Sequence, residues 1–276
     1  MAGVKGNGML REAWEYLTTP AGAEARAFGY LAEAVALGAR HRRQRAAWAP
    51  HVAACRRFIL DAAGRAPARN GKGAGAALVA GSGRLIEVPL AELAARFESV
   101  VLADLIHPPA ARRAARRFAN VRLVEADVTG TLAPLDAALR GGGPLPSPAP
   151  PDPGGGFAFA VSCNLLSQLP LLPLAAIERR APAVGAAERA AFATALVAAH
   201  LEWLRRAAPV AALVTDMESL WLKDGTVLQR EDSLWGAALP VPDVTWDWNI
   251  APRPEEDRWL DLRHAVGGWY DLNGTV

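Results

Sequence analysis

One repeating pattern between Ala76 and Thr129 constrains this chain more than any other feature. An apolar run, Ala76-Ala77-Leu78-Val79-Ala80, turns through Gly81-Ser82-Gly83, and the residues from Ile86 to Phe97 read as a helix. A second apolar run, Ser99 to Ala103, ends at Asp104. The Arg-rich stretch Pro109 to Phe118 reads as another helix, and a third run, Val121 to Ala126, ends at Asp127. Strand, glycine turn, helix, strand, acid, helix, strand, acid describes an α/β protein built on an open parallel sheet, with ligands in the crevice beyond the carboxyl ends of the strands.

The residue types suit a nucleotide-like guest. Gly81 and Gly83 carry no Cβ, so backbone can come close to a ligand in dihedrals other residues avoid. A carboxylate at Asp104 can accept from two vicinal ribose hydroxyls, and Asp127 stands where a purine's exocyclic amine would lie. Each has a plainer alternative: a Gly-x-Gly after a strand is often only a turn, and an Asp after a strand is often a helix N-cap. Three such endings in consecutive order favour the ligand.

Residues 50 to 276 resemble the class I S-adenosylmethionine-dependent methyltransferases. The resemblance rests on Ala80-Gly81-Ser82-Gly83-Arg84, on Asp104 after Val-Val-Leu-Ala, on Glu125-Ala126-Asp127 and on Ser162-Cys163-Asn164. It implies a Rossmann-like, mostly parallel seven-stranded sheet with helices on both faces, and S-adenosyl-L-methionine as cofactor. It places cofactor contacts at Ala80, Gly81, Ser82, Gly83, Asp104, Leu105, Asp127, Val128, Ser162 and Cys163. Two positions depart from the family pattern: Val79 stands where an acid is frequent, and Leu85 where a third glycine is frequent. A nicotinamide-dependent oxidoreductase shares the glycine turn and first acid but wants a glycine at Ile86. A non-catalytic protein that binds the methyl donor or its product is a further alternative.

Ahead of this core, residues 9 to 65 read as helical, with apolar stripes at Leu10, Trp14, Leu17 and at Phe28, Leu31, Ala32, Val35, Ala36. Gly38 is expected to end the second helix. Pro50 sets the start of the third near Ala49, because proline suits a first turn. Residues 1–70 are expected to act as a lid or to pack on the sheet, and 71–276 to form the main domain. Ala66 to Gly75 is a connector. The basic run Arg40 to Arg45 and the arginines 112, 113, 116 and 117 read as wet helix surface.

Beyond the core pattern, Pro144 to Gly156 is low-complexity and is expected to be a flexible surface loop. Phe157 to Val161 supplies a fourth strand. Its end carries Asn164, the candidate to hold a substrate nucleophile, with Gln168 as a second contact; a cap is the alternative. Cys163 reads as space-filling. Ala186 to Ala208 is a long helix bearing His200, and Pro209 to Asp216 a fifth strand. Asp216, with Glu218, is a candidate acid/base, capping being the alternative. His107 reads as a loop histidine at the crevice rim. Six of the nine tryptophans follow from Trp221 onward, and the period-two run Val244 to Ile250 makes sheet packing the leading reading over an aromatic cage. A last strand spans Leu260 to Leu272.

Composition narrows the partners. A net charge of +2 gives no basic footprint for nucleic acid, so a small-molecule substrate is expected. Two cysteines suggest neither a disulfide framework nor a metal site. The first residues lack a signal peptide's apolar core and no stretch is long enough for a membrane span, so the expectation is a soluble, cytoplasmic protein. The N-terminal helices offer a surface for pairing into an oligomer.

Overall fold

A computed structural model describes residues 3–67 and 74–274 of the chain; the first two residues and most of the connector, 68–73, lie outside the described residues. Five parallel strands form the heart of the sheet: β1 (Ala74–Ala80), β2 (Phe97–Asp104), β3 (Val121–Glu125), β4 (Phe157–Cys163) and β5 (Val210–Lys223). With β7 (Val244–Ala251) and β8 (Asp261–Trp269) the order is β3-β2-β1-β4-β5-β8-β7, β8 running antiparallel to both neighbours. This Rossmann-like sheet has the seven-stranded path, with one reversed strand near its edge, that the resemblance implies.

An eighth strand, β6 (Thr226–Asp232), pairs with the far half of β5. Its turn is Asp224-Gly225, both at positive φ, 49° and 84°. Two left-handed residues in a two-residue loop make the turn whose twist matches flanking antiparallel strands.

The central strands are apolar on both faces because both are covered. Along β1, Ala77 and Val79 join the core under α4 (Arg45–Gly64) and α5 (Leu90–Arg96), while Leu78 and Ala80 join the core under α9 (Ala186–Ala207). Trp48, Cys55, Phe58, Ile59 and Ala62 of α4 are buried in the first of these cores. Trp48 also donates its indole N–H to the Ile250 carbonyl at 2.8 Å. That anchor holds the turn ahead of Pro50, so α4 begins at Arg45 and carries Pro50 in its interior rather than in its first turn.

Three further helices precede α4: α1 (Gly3–Thr18), α2 (Ala23–Ala27) and α3 (Tyr30–Arg43). Gly38 lies inside α3 and does not end it. The guanidinium of Arg84 crosses there: a Cβ on Gly38 would sit 2.3 Å from Arg84 Cζ. Phe28, Leu31 and Val35 are buried as their spacing predicts, whereas Ala32 and Ala36 are exposed. Leu10, Trp14 and Leu17 form a stripe that is largely exposed.

α6 (Pro109–Ala115) and α7 (Leu132–Gly141) follow β2 and β3, and α8 (Leu171–Arg180) follows β4. The proline-rich loop is fixed to the body, contrary to the flexible segment expected. Ala149 N–H donates to Thr129 O at 3.1 Å, and Trp203 donates its indole N–H to Pro151 O at 2.9 Å. Among the described residues no helix is long and apolar enough to cross a membrane.

Candidate active site

The tips of β1, β2, β3 and β4 surround one cleft, partly open to solvent. Gly81, Ser82 and Gly83 line it from the first tip, Asp104 and Leu105 from the second, Asp127 and Val128 from the third, Cys163 and Asn164 from the fourth. Tyr30, Glu33, Ala34 and Leu37 of α3 close it from above.

The glycine loop is built by contacts that exclude side chains. Gly81 has φ +75°, and a Cβ there would stand 2.7 Å from the Cys163 carbonyl oxygen. Gly83 N–H donates to Asp104 Oδ2 at 2.8 Å, and Ile106 N–H reaches Oδ1 at 3.3 Å. Burial outweighs these hydrogen bonds and pushes the Asp104 carboxyl up to about 6. Leu85, where the resemblance would have a glycine, adopts φ 59°, an uncommon state for a bulky residue, with its side chain buried in the core under α4 and α5.

After this loop the chain departs from the expected helix. Residues 84–89 are irregular and α5 starts only at Leu90. Pro89 lacks an N–H and starts the helix late. Arg84, in this stretch, forms an ion pair with Glu15 of α1 and donates to Ala34 O of α3 at 3.1 Å. The loop also turns Glu87 into the cleft.

Asp127 serves α7 as well as the cleft. Oδ1 accepts from Thr129 N–H and its hydroxyl, and Oδ2 from the N–H groups of Thr131 and Leu132, at 2.6 to 2.9 Å. A carboxylate offers about four lone-pair sites, so these bonds fill it. The cap reading weighed for this residue is realised, at a residue that also lines the cleft.

At the fourth tip, Asn164 (φ 48°) lies 3.1 Å from Nε2 of His51 on α4. Trp246 donates its indole N–H to His51 Nδ1 at 3.0 Å. An indole only donates, so Nδ1 holds a lone pair and the proton is on Nε2. Two N–H groups cannot bond each other, and the Asn164 oxygen is otherwise without a partner. Hydrogen-bond chemistry therefore turns the amide so that its oxygen accepts from His51 Nε2–H. Burial, with His264 beyond it, depresses the His51 pKa to about 3, so the ring is neutral. It stacks on Trp248 with centroids 4.0 Å apart.

Glu87 Oε1 is 3.9 Å from the same His51 Nε2. Burial pushes the Glu87 carboxyl up to about 7; Asp216 adds to this and Arg56 opposes it. Burial and the acids Asp127 and Asp104 likewise raise the Tyr30 phenol. Burial raises the Cys163 thiol, which suits the space-filling role expected of it.

Ala80, Ser162, Asp216, Glu218 and His107, all placed at the site or its rim by the sequence reading, do not line the cleft. Ala80 is buried in the core beneath α9. Ser162 faces that same side of the sheet, where its hydroxyl meets His200 Nε2 at 2.8 Å. Asp216 lies within β5, not after it, and accepts from the Ser167 hydroxyl at 3.1 Å. Glu218 instead pairs with Arg230, so the two acids do not form a carboxylate pair. His107 is fully buried rather than at the rim, its Nε2 3.0 Å from the Ser82 hydroxyl. His200 is fully buried too. Of the late tryptophans only Trp248 lines the cleft; Trp246 and Trp248 stand on β7 and Trp269 on β8, as sheet packing predicts, while Trp235 lies outside the strands and donates to the Ser167 carbonyl.

Tyr30, His51 and Glu87 were not singled out by sequence, whereas Trp248 belongs to the run for which an aromatic cage was the alternative to sheet packing. His51 had a signal, standing on the same helical face as Trp48 and Cys55. Glu87 had none while residues 86–97 read as helix. Among the described residues no cluster of His, Cys, Asp and Glu has the arrangement of a metal site.

No family model matches the chain, and no curated protein does. Among solved structures it is similar to the Burkholderia thailandensis 1,6-didemethyltoxoflavin-N1-methyltransferase with bound 1,6-didemethyltoxoflavin and S-adenosylhomocysteine. The identity is 17%, over 91% of this chain and 92% of that one, at a TM-score of 0.39.

Proposed function

We propose that the protein is a methyltransferase that uses S-adenosyl-L-methionine to methylate a small molecule. One observation carries this reading: the glycine loop, Asp104 and Asp127 meet in a single cleft whose charged lining is four carboxylates and one arginine already paired. Glu33, Glu87, Asp104 and Asp127 favour a guest bearing positive charge and hydroxyls. They oppose a pyrophosphate.

The local backbone supports the same choice. Dinucleotide sites set the pyrophosphate on a helix that opens at the glycine turn. Here α5 opens at Leu90, seven residues past Gly83. A nicotinamide cofactor would meet acids and irregular chain instead of a helix N-terminus.

The donor fits the residues present. The flat surface at Gly81 to Gly83 would take its amino-acid end. Asp104, with Gly83 N–H on one oxygen, keeps acceptor capacity for ribose hydroxyls. Asp127 fixes the Val128–Thr129 loop that would wall the base, and Leu105 flanks it. When bound, the donor supplies a methyl group already activated on a sulfonium. What remains for the chain is alignment and the exclusion of water. Asn164, held by His51, and Glu87 stand at the acceptor end.

In this reading α1 to α3, within the N-terminal segment 1–70, form the cover, α3 contributing Tyr30 through Leu37 to the cleft. A cytoplasmic setting belongs to the same proposal and agrees with two buried free cysteines, Cys55 and Cys163. Calorimetric titration with S-adenosylhomocysteine and with NAD tests the reading. Binding of the first alone is expected; binding of NAD alone overturns it.

A further inference from the structure

Among the described residues Glu87 has no ion pair with an arginine or lysine, its one charge-pair contact being His51. It lines the cleft with its side chain 17% exposed. Groups on every neighbouring element leave it that way. From α4, His51 is neutral and presents Nε2–H, and Arg56 spends its guanidinium on the Ile86 carbonyl at 2.7 and 3.1 Å. From β4, Cys163 is a buried neutral thiol, and from β5, Asp216 is a second acid. Glu87 and Asn164 flank one His51 nitrogen, at 3.9 and 3.1 Å, so both belong to one end of the cleft. The walls beside them are largely apolar, with Ile86, Leu165 and Trp248, together with the Gln168 amide, which donates to the Asn164 carbonyl at 2.7 Å.

Resting on the methyltransferase reading, we propose that Glu87 is the proton acceptor of the reaction and that the methyl acceptor is an uncharged, largely apolar molecule presenting an N–H or O–H. The acceptor's lone pair forms a bond to the methyl carbon as the carbon–sulfur bond breaks and leaves its electron pair on sulfur. The N–H or O–H proton passes to a Glu87 carboxylate oxygen. One positive charge on the sulfonium and one negative charge on Glu87 disappear together, so the step balances. A base whose pKa lies near neutrality suits such a transfer. An ammonium acceptor would be held protonated by the carboxylates, its lone pair occupied. A carboxylate or phosphate acceptor would meet acids with only the paired Arg84 to receive it.

The test uses the whole protein saturated with S-adenosylhomocysteine. Infrared difference spectra across pH 5 to 9 should show a carboxyl band titrating near pH 7 that is missing from Glu87→Gln. Binding of 4-nitrobenzyl alcohol, 4-nitrobenzylamine and 4-nitrobenzoate then reports the acceptor class. The alcohol should bind at least tenfold tighter than the other two, and Glu87→Gln should lose that preference while binding S-adenosylhomocysteine within twofold of the parent. Glu87→Asp, which withdraws the carboxylate but keeps its charge, should retain a titrating band and lose the preference. A carboxyl that does not titrate near neutrality, or tightest binding of the amine, overturns the proposal. Failure of the parent protein to bind S-adenosylhomocysteine instead defeats the methyltransferase reading, and the infrared titration of the free protein still reports on Glu87.

Discussion

A carboxyl placed for proton transfer costs stability, and Glu87 lets that cost be measured. Its pKa climbs from 4.5 to about 7 on folding, because burial disfavours the charged form. In the unfolded chain it ionises near 4.5, so between 4.5 and 7 the folded state holds the extra proton. Stability therefore falls as pH rises through this window. At about 1.4 kcal/mol for each tenfold in the proton equilibrium, the full loss is about 3 kcal/mol above pH 7. Glu87→Gln keeps the shape and removes the ionisation. Urea unfolding of the ligand-free protein should give equal stabilities for parent and variant at pH 4, with the variant gaining about 3 kcal/mol by pH 8. Asp104 and the histidines titrate in both proteins, so the difference isolates Glu87. Parallel profiles from pH 4 to 8 would refute the assignment of a neutral-range carboxyl to this position.

Asp104→Ala should weaken S-adenosylhomocysteine binding by about 1–3 kcal/mol in calorimetry, the loss of a charge-assisted contact; unchanged affinity would remove Asp104 from the site. Gly38→Ala should displace the Arg84 guanidinium and open the ion pair with Glu15, seen as faster proteolysis within α1 while the melting of the core stays within a few degrees. His107 and His200 are depressed to about 4 by burial, so each opposes folding once protonated. The contribution of these two histidines should fall as pH drops from about 6.5 toward 4, opposing that of Glu87 over the same range, and the stability difference between the parent and His200→Gln, followed by urea unfolding, isolates the part of His200.

The parts of the fold legible in the sequence are those whose signal is local. Both-face burial writes β1, β2 and β4 as short apolar runs, and the period-two run at Val244 writes β7. The strand tips at Gly81, Asp104 and Asp127 carried their own residue types and do line one cleft. What stayed hidden was set by distant chain. Gly38 reads as a helix end until Arg84 is seen crossing it, and Pro50 reads as a first turn until Trp48 is seen tied to Ile250. Ser162 sits one residue from Cys163 on a strand, so the pleat alone sends its side chain to the opposite face. Asp224-Gly225 carries a local hairpin signal, and β5 and β6 pair across it. Glu87 became visible only when the helix after the glycine loop proved to start at Leu90.

Arg84 has a further consequence. One side chain, rooted in the loop that would cradle the donor, touches both α1 and α3. Any dissociation constant measured for the donor thus includes the free energy of settling those helices, in proportion to how often they are settled beforehand. Changes at Glu15 or Gly38, remote from every proposed ligand atom, would then move affinity through the fraction of molecules ready to bind.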